Sequence, residues 1–425
     1  MIRLLYGALV VLLAPVAFAA LLVRGVREPR YRRHLGERFG LGRKLPSPSI
    51  WLHAVSLGEV SASAALVREL RVRYPAVPFV LTTATPTGRA RAVELFGGDV
   101  DVRFLPYDTP GSVRRFLIRT RPRVAVIMET ELWPNLLGAC ARGSIPVVIA
   151  SARLTARSVT RYRRFGRLFR DAVATIALIA AQTREDAERF LALGASPART
   201  RVLGNIKFDM QLGASVTESG RALRTGYLGS RPVWVAGSTH AGEEEALLVA
   251  HAELRRTMPD ALLALVPRHP QRFESVAGML SRHDLRFERR ARAQPVSRDV
   301  EVLLVDAMGE LTTFYAAADV AFVGGSLVPV GGHNLLEPAA LGVPVITGPH
   351  TMNSREIARQ LIDCGGAVEV SDSAALAQVL RRLFADPAGR RRMGHCAREF
   401  VETHRGSLGR LLELLEPLLP AQEPV

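Results

Sequence analysis

A chain of 425 residues is too long for one hydrophobic core, and at 48% hydrophobic and 23% charged it is globular and not disordered. Its three cysteines, Cys140, Cys364 and Cys396, lie far apart without metal-ligand spacing, which argues against a disulfide framework and fits a reducing compartment. The formal charge of +16, carried almost wholly by arginine, asks for an anionic partner: nucleic acid, a membrane surface or a phosphorylated substrate.

The first predicted element selects among these. "LLYGALVVLLAPVAFAALLV", Leu4 to Val23, is 20 residues without a charge, long enough for a helix across a hydrocarbon core. Pro15 is compatible with such a helix. The rivals are a buried hydrophobic helix and a cleaved signal peptide, but the basic region of the latter would hold only Arg3, and the apolar run exceeds a usual signal core. Residues 24–44 follow with eight basic side chains against Glu28 and Glu37. That collar suits anionic headgroups, and the positive-inside rule puts everything after Val23 in the cytoplasm. Residues 1–24 are therefore expected to anchor the chain.

From Ile50 onward, short apolar runs alternate with amphipathic ones. "IWLHAV", "PFVLTT", "VDVRFLP", "VAVIME", "PVVIAS" and "TIALIAAQ" read as buried strands. "SASAALVRELRVRY" puts Val60, Ala64, Val67 and Leu70 on one helical face. Residues 208–230 are polar and Gly/Ser-containing, and they read as a linker. A second alternating set follows: "PVWVAGS", "ALLALVPR", "LRFER", "EVLLVDA", "VAFVGG", "PVITGP" and "AVEV". Residues 371–419 read as helices. The expected fold is α/β, with two doubly wound, Rossmann-like domains at 25–207 and 231–395, then C-terminal helices at 396–425. In open parallel sheets, ligands bind beyond the carboxyl ends of the strands. A cleft between the two sheets is the natural place for them.

The residues just after each strand carry the chemistry. Glu59 follows the first strand, at a helix start; it reads either as a first-turn carboxylate or as a general base. Glu129 and Glu131 flank Thr130 after another buried strand. Lys207 stands at the domain junction, where a cation suits a phosphate. In the second domain, Ser238, Thr239 and His240 precede a helix whose N-terminus favours phosphate, with a plain N-cap as the alternative. Arg268 and His269 sit between two prolines. Met308, Gly309 and Glu310 follow a further strand. Gly331 and Gly332 precede His333 and Asn334, and Asn334 and Glu337 read equally as a capping box or as partners of a ribose diol. No metal site emerges: Asp99 to Asp101 lead into a strand, and the ten histidines lack paired-ligand spacing. No Walker A, G-x-S-x-G or Rossmann glycine fingerprint is present.

Taken in order, "HAVSLGE", "METELWPN", "SARL", "GNIKFD", "GSTHAGEE", "VPRHPQRF" and "GELTTFYAAADVAFVGGSLVPVGGHNLLEPAALGVPVITGP" resemble the 3-deoxy-D-manno-octulosonic acid (Kdo) transferase family, over roughly Trp51 to Pro349. The resemblance implies a GT-B glycosyltransferase that moves Kdo from CMP-Kdo onto a lipid A precursor, lipid IVA, with inversion and with no metal or cofactor. It implies a base at Glu59, a supporting carboxylate at Glu129 and the family lysine at Lys207. It further implies CMP contacts at Arg268, His269, Met308, Gly309, Glu310, Asn334, Leu335, Leu336 and Glu337. Ser238 and Thr239 are added here as phosphate contacts. An enzyme of this kind is expected at the inner (plasma) membrane, held by a single-pass anchor, with its catalytic domains cytoplasmic. A nucleotide-sugar 2-epimerase is the alternative with the same architecture. A nucleic-acid-binding module is disfavoured, because no RNP, zinc-finger or clear helix-turn-helix signal occurs.

Overall fold

The computed structural model describes residues 2–210, 212–290 and 295–419. The chain forms two compact units, Met1–Met210 with Arg405–Val425, and Gln211–His404. The first unit is built on seven strands: β1 (Ser49–His53), β2 (Phe79–Thr83), β3 (Asp101–Phe104), β4 (Pro122–Met128), β5 (Val147–Ala152), β6 (Leu178–Ala181) and β7 (Thr200–Val202). They lie in the order β3-β2-β1-β4-β5-β6-β7, all parallel.

Strand alternation divides this unit into two cores. Trp51, Ala125 and Ile127 face one layer of helices; Ile50, Leu52, Val124 and Val126 face the other. A sheet covered on both faces needs apolar residues at nearly every position, which is why these strands read as continuous runs. Each fully buried Ile, Leu or Val among them contributes about 1.5–3 kcal/mol. The buried Trp51 indole N–H is satisfied, donating to Thr82 Oγ1 at 2.8 Å.

The second unit repeats the plan with β8 (Val233–Thr239), β9 (Leu262–Pro267), β10 (Phe287–Arg289), β11 (Val302–Leu304), β12 (Val320–Val323), β13 (Val345–Thr347) and β14 (Ala367–Glu369). The order is β10-β11-β9-β8-β12-β13-β14, again parallel. In each sheet the winding reverses beside one central strand. β1 lies between β2 and β4, and β8 lies between β9 and β12. Those reversals open a crevice at the carboxyl ends, the usual ligand position of such folds.

Local structure departs from the sequence reading in four places. The helix over Val60–Leu70 is broken into Leu57–Ala62 and Ala64–Arg73 at buried Ser63, whose hydroxyl donates to the Val60 carbonyl at 3.0 Å. β7 has no apolar signature because it is a three-residue, largely exposed edge strand. The stretch expected as a linker carries the helix Ala214–Leu223, which packs on the helix Leu311–Ala317. Its polar, small-residue sequence serves close approach: a Cβ on Gly220 would stand 2.4 Å from Ala316 Cβ. Finally, the expected C-terminal helical region is divided. The helix Pro387–Thr403 closes the second unit, and Ser407–Leu415 returns to the first, burying Leu408, Leu411, Leu412 and Leu415 in its core. The Asp209 carboxylate fixes that return by accepting the amides of Gly406 and Leu408 at 2.6 and 2.8 Å.

The N-terminal helix Ile2–Arg27 runs straight through Pro15. Over Ile2–Val26 it is long and apolar enough to cross a membrane, and among the described residues no other helix is.

Candidate active site

The loops after β1 and β4 flank the reversal in the first sheet, and they hold the first group of side chains. Ser56 caps the helix Leu57–Ala62, its Oγ accepting the Glu59 amide at 3.4 Å. Glu59 returns the contact: Ser56 donates to Oε1 at 3.1 Å and the Val55 amide to Oε2 at 2.9 Å. The reading of Glu59 as a first-turn carboxylate therefore holds locally. The same carboxylate has a second property. Burial pushes it up to about 7, and the nearby charge of Glu129 pushes the same way, against the two hydrogen bonds. A carboxyl poised near neutrality is what a general base needs.

Glu129 ends β4 in the left-handed region, at φ 54°, and its amide donates to the Ala150 carbonyl at 2.9 Å. Non-glycine residues adopt that shape at a cost, usually where a side chain must be aimed. Here the carboxylate is aimed at Lys207, whose Nζ donates to Oε1 at 2.9 Å. Lys207 is itself held: the Asn205 side chain accepts its amide at 3.0 Å, and Ser151 Oγ accepts the amide of Ile206 at 3.1 Å. Glu131 is pushed up to about 7 by burial, with a bond to Trp133 opposing. The first unit thus gathers Glu59, Glu129, Glu131 and Lys207.

In the second unit the loops after β8, β9 and β12 converge. Ser238 is left-handed at φ 56°, where the pairing of β8 with β9 shifts register between Gly237 and Thr239. Thr239 is fully buried, and its hydroxyl donates to Glu244 Oε1 at 3.0 Å. Its side chain therefore faces the interior, and the expectation that this hydroxyl binds phosphate is corrected. The helix N-terminus expected to favour phosphate carries carboxylates of its own. The helix Glu244–Arg255 begins with Glu243, Glu244 and Glu245, carboxylates that answer its dipole themselves. Glu243 goes further. Fully buried, it accepts the amides of His240, Gly325, Ser326 and Leu327 at 2.7–3.0 Å, clamping the β12 loop to the β8 loop.

That clamp sets up a histidine cluster. His240 and His333 stack with an interplanar angle of 7°, their Nε2 atoms 2.8 Å apart, and His269 meets His240 edge-on at 5.4 Å. Burial is the first cause that lowers all three; His333 falls to about 3 under the added charges of its neighbours. Desolvation disfavours the cationic form of both stacked rings, and a 2.8 Å contact between two ring nitrogens needs one to donate and the other to accept. The glycine pairs make it possible: Gly325 is left-handed at φ 69°, and a Cβ there would meet the His333 ring at 3.0 Å. Arg268 leaves β9 half-buried, its amide donating to the Thr239 carbonyl at 3.0 Å.

The remaining expected positions differ in kind. Met308 and Gly309 are exposed, with Gly309 at φ 82°, while Arg290 holds the Glu310 carboxylate at 2.8 Å. Asn334 donates to Glu337 Oε1 at 3.1 Å and accepts the Leu336 amide at 3.1 Å. Leu335 and Leu336 are core residues, so only their backbone is open to a ligand. The sequence reading passed over Glu243 and gave His333 no role. The signals were the acidic triplet after "STHAG" and a histidine directly after a Gly pair. Among the described residues no group of three or more His, Cys, Asp or Glu is arranged to hold a metal ion.

Comparison with known proteins decides the family. Residues 33–210 match the family model of 3-deoxy-D-manno-octulosonic-acid transferases, and residues 235–400 that of group 1 glycosyl transferases. The 3-deoxy-D-manno-octulosonic acid transferase of Haemophilus influenzae is 41% identical over 98% of this chain and 99% of its own. The chain belongs to the 3-deoxy-D-manno-octulosonic acid transferase family. This Kdo transferase is also 41% identical to its Bordetella pertussis counterpart, over 90% of this chain and 91% of that one. The solved UDP-GlcNAc 2-epimerase of Neisseria meningitidis shares the fold alone, with a TM-score of 0.56 and 14% identity over 87% of this chain and 100% of that one. The GT-B architecture is thereby common to both enzymes, while sequence places the Kdo transferase with the transferases.

Proposed function

We propose that this Kdo transferase takes Kdo from CMP-Kdo and places it, with inversion, on a hydroxyl of a lipid A precursor such as lipid IVA. The observation that carries the reading is Glu59, a carboxyl brought near neutrality beside the Glu129–Lys207 pair. The acceptor oxygen attacks the anomeric carbon. The bond from that carbon to the CMP phosphate breaks with its electron pair, and the acceptor proton passes to Glu59. The anomeric carbon is tertiary, so positive charge builds on it in the transition state. Glu129 supports that charge, and Lys207 supports the phosphate. CMP is held by the second unit: Arg268 and Ser238 at the phosphate, His269 and the Met308–Glu310 turn at the base, Asn334 and Glu337 at the ribose. The two groups of side chains serve one reaction.

We place the enzyme at the cytoplasmic face of the inner membrane, attached through the helix Ile2–Arg27, because an acylated, phosphorylated acceptor resides in a bilayer and the chain is basic. Purified protein given CMP-Kdo and a tetra-acylated lipid A precursor, with products weighed by mass spectrometry, tests the whole reading. Mass increments of Kdo on the acceptor are expected; release of free Kdo alone, or turnover of UDP-sugars, overturns it.

A further inference from the structure

We propose that the helix Ile2–Arg27 lies in the plane of an anionic bilayer, as a face of the first unit, and does not cross it. The inference rests on the membrane-attached reading above and changes its topology. A helix that spans alone is wetted by lipid on every side. This one has a buried or half-buried stripe along its full length: Tyr6, Val10, Ala14, Phe18, Leu21 and Gly25. Steps of three and four put these on one face.

Both ends of the stripe are tied to the same unit. Near the start, Tyr6 donates to Asp108 Oδ2 at 3.0 Å, and Gly7 packs on Pro110. Farther along, Phe18 meets Phe39 edge-on at 5.3 Å, and Arg32 donates to the Leu22 carbonyl at 3.3 Å. At about 1.5 Å per residue these attachments extend over most of a bilayer's thickness. We infer that a spanning helix keeping these contacts would bring the helices that touch it, and with them Arg114, Arg115 and Arg142, toward hydrocarbon. All three are exposed, on the helices Pro110–Thr120 and Pro134–Arg142 beside it. Charged side chains there are strongly disfavoured.

The opposite face is apolar and bare. Leu5 is 64% exposed, Leu12 73%, Val16 65% and Val23 69%. Beside it lies the helical pair Ala156–Arg163 and Arg167–Ala174, the second of which packs against the N-terminal helix. Exposed on that pair are Arg157, Arg161, Arg164 and Arg167, with Phe165 at the turn. Past the helix, Arg30, Arg33 and Lys44 are exposed as well. An apolar face flanked by arginines is the pattern of an interfacial helix, whose apolar side enters the acyl boundary while the cations meet headgroup phosphates. The occupant we assign is the anionic lipid surface itself.

The test uses the full chain in bacterial inner-membrane vesicles of both orientations, with Cys364 and Cys396 changed to serine. Ile2→Cys and, separately, Arg30→Cys are exposed to a membrane-impermeant maleimide. Both are expected to react in inside-out vesicles only; reaction of Ile2→Cys only in right-side-out vesicles overturns the proposal. Gly7→Cys with Pro110→Cys is expected to form a disulfide in the membrane, and failure to do so also overturns it. Finally, the purified protein is titrated with phosphatidylglycerol and phosphatidylcholine vesicles. Changing Arg157, Arg161, Arg164 and Arg167 to glutamate is expected to weaken phosphatidylglycerol binding at least tenfold and leave phosphatidylcholine binding unchanged. Unaltered phosphatidylglycerol binding, or binding that requires a lipid A precursor in the vesicle, overturns the lipid-surface assignment. Kdo transfer in detergent is followed in parallel: its absence in the unaltered protein faults the function, whereas its presence leaves the topology to be decided by the labelling.

Discussion

The two units wind their sheets alike but use titratable groups in opposite ways. At the reversal in the first sheet, burial raises carboxyls: Glu59 and Glu131 rise to about 7. At the reversal in the second, burial lowers imidazoles, and His333 falls to about 3. Desolvation disfavours charge in both places, yet the outcomes differ chemically. An acid moved toward neutrality exchanges protons under working conditions. An imidazole moved far below neutrality is a fixed, uncharged hydrogen-bonding surface. On the proposed reading the first unit serves proton transfer and the second holds the ligand still.

The largest test of that division is Glu59→Gln. It is expected to lower kcat by about 10²–10⁴, the usual worth of a general base. CMP affinity, measured by calorimetry, should stay within about twofold, because neutral binding in the second unit does not draw on that carboxyl. A comparable loss of CMP affinity would erase the distinction.

Next is Glu243→Gln. A carboxylate that accepts four amides is replaced by a group with one acceptor oxygen and an NH₂ that faces donors. The expected loss is about 2–3 kcal/mol of stability, read from denaturant unfolding of the full protein, together with weaker CMP binding. Smaller again is His333→Ala, which should raise the donor KM by about 3–10-fold, the worth of one hydrogen bond, with kcat nearly unchanged.

The finest test is a pH profile. A base must be deprotonated, so kcat/KM should rise with pH and level off above about 7 if Glu59 governs it. Glu129→Gln removes a charge that raises Glu59, so the break should move to lower pH. The stacked imidazoles contribute no break there, since their ordinary titration is displaced downward. The linkage has a matching sign. Folded Glu59 retains its proton between its ordinary 4.5 and about 7, so its contribution to stability falls as pH rises through that window.

Much of this was legible in the sequence, for a physical reason. A parallel sheet covered on both faces writes itself as apolar runs, and every such run from Ile50 to Val370 is a strand. The polar residues that end those runs include Glu59, Glu129, Ser238 and Arg268, which the fold sets beside the reversals. What escaped was tertiary. Edge strand β7 buries too little to leave a pattern. Thr239 looks like any cap residue until its hydroxyl is found turned inward to Glu244. Glu243 looks like an ordinary first-turn acid, because three of its four amide partners lie more than eighty residues away.

The return of Ser407–Leu415 to the first unit orders events during synthesis. A ribosome releases that segment only after all of the second unit has emerged. The lobe begun first is therefore completed last, its hydrophobic layer lacking Leu408 through Leu415 until translation is nearly over. A nascent chain arrested before residue 405 should thus present a finished second unit and a first unit that still awaits its closing helix.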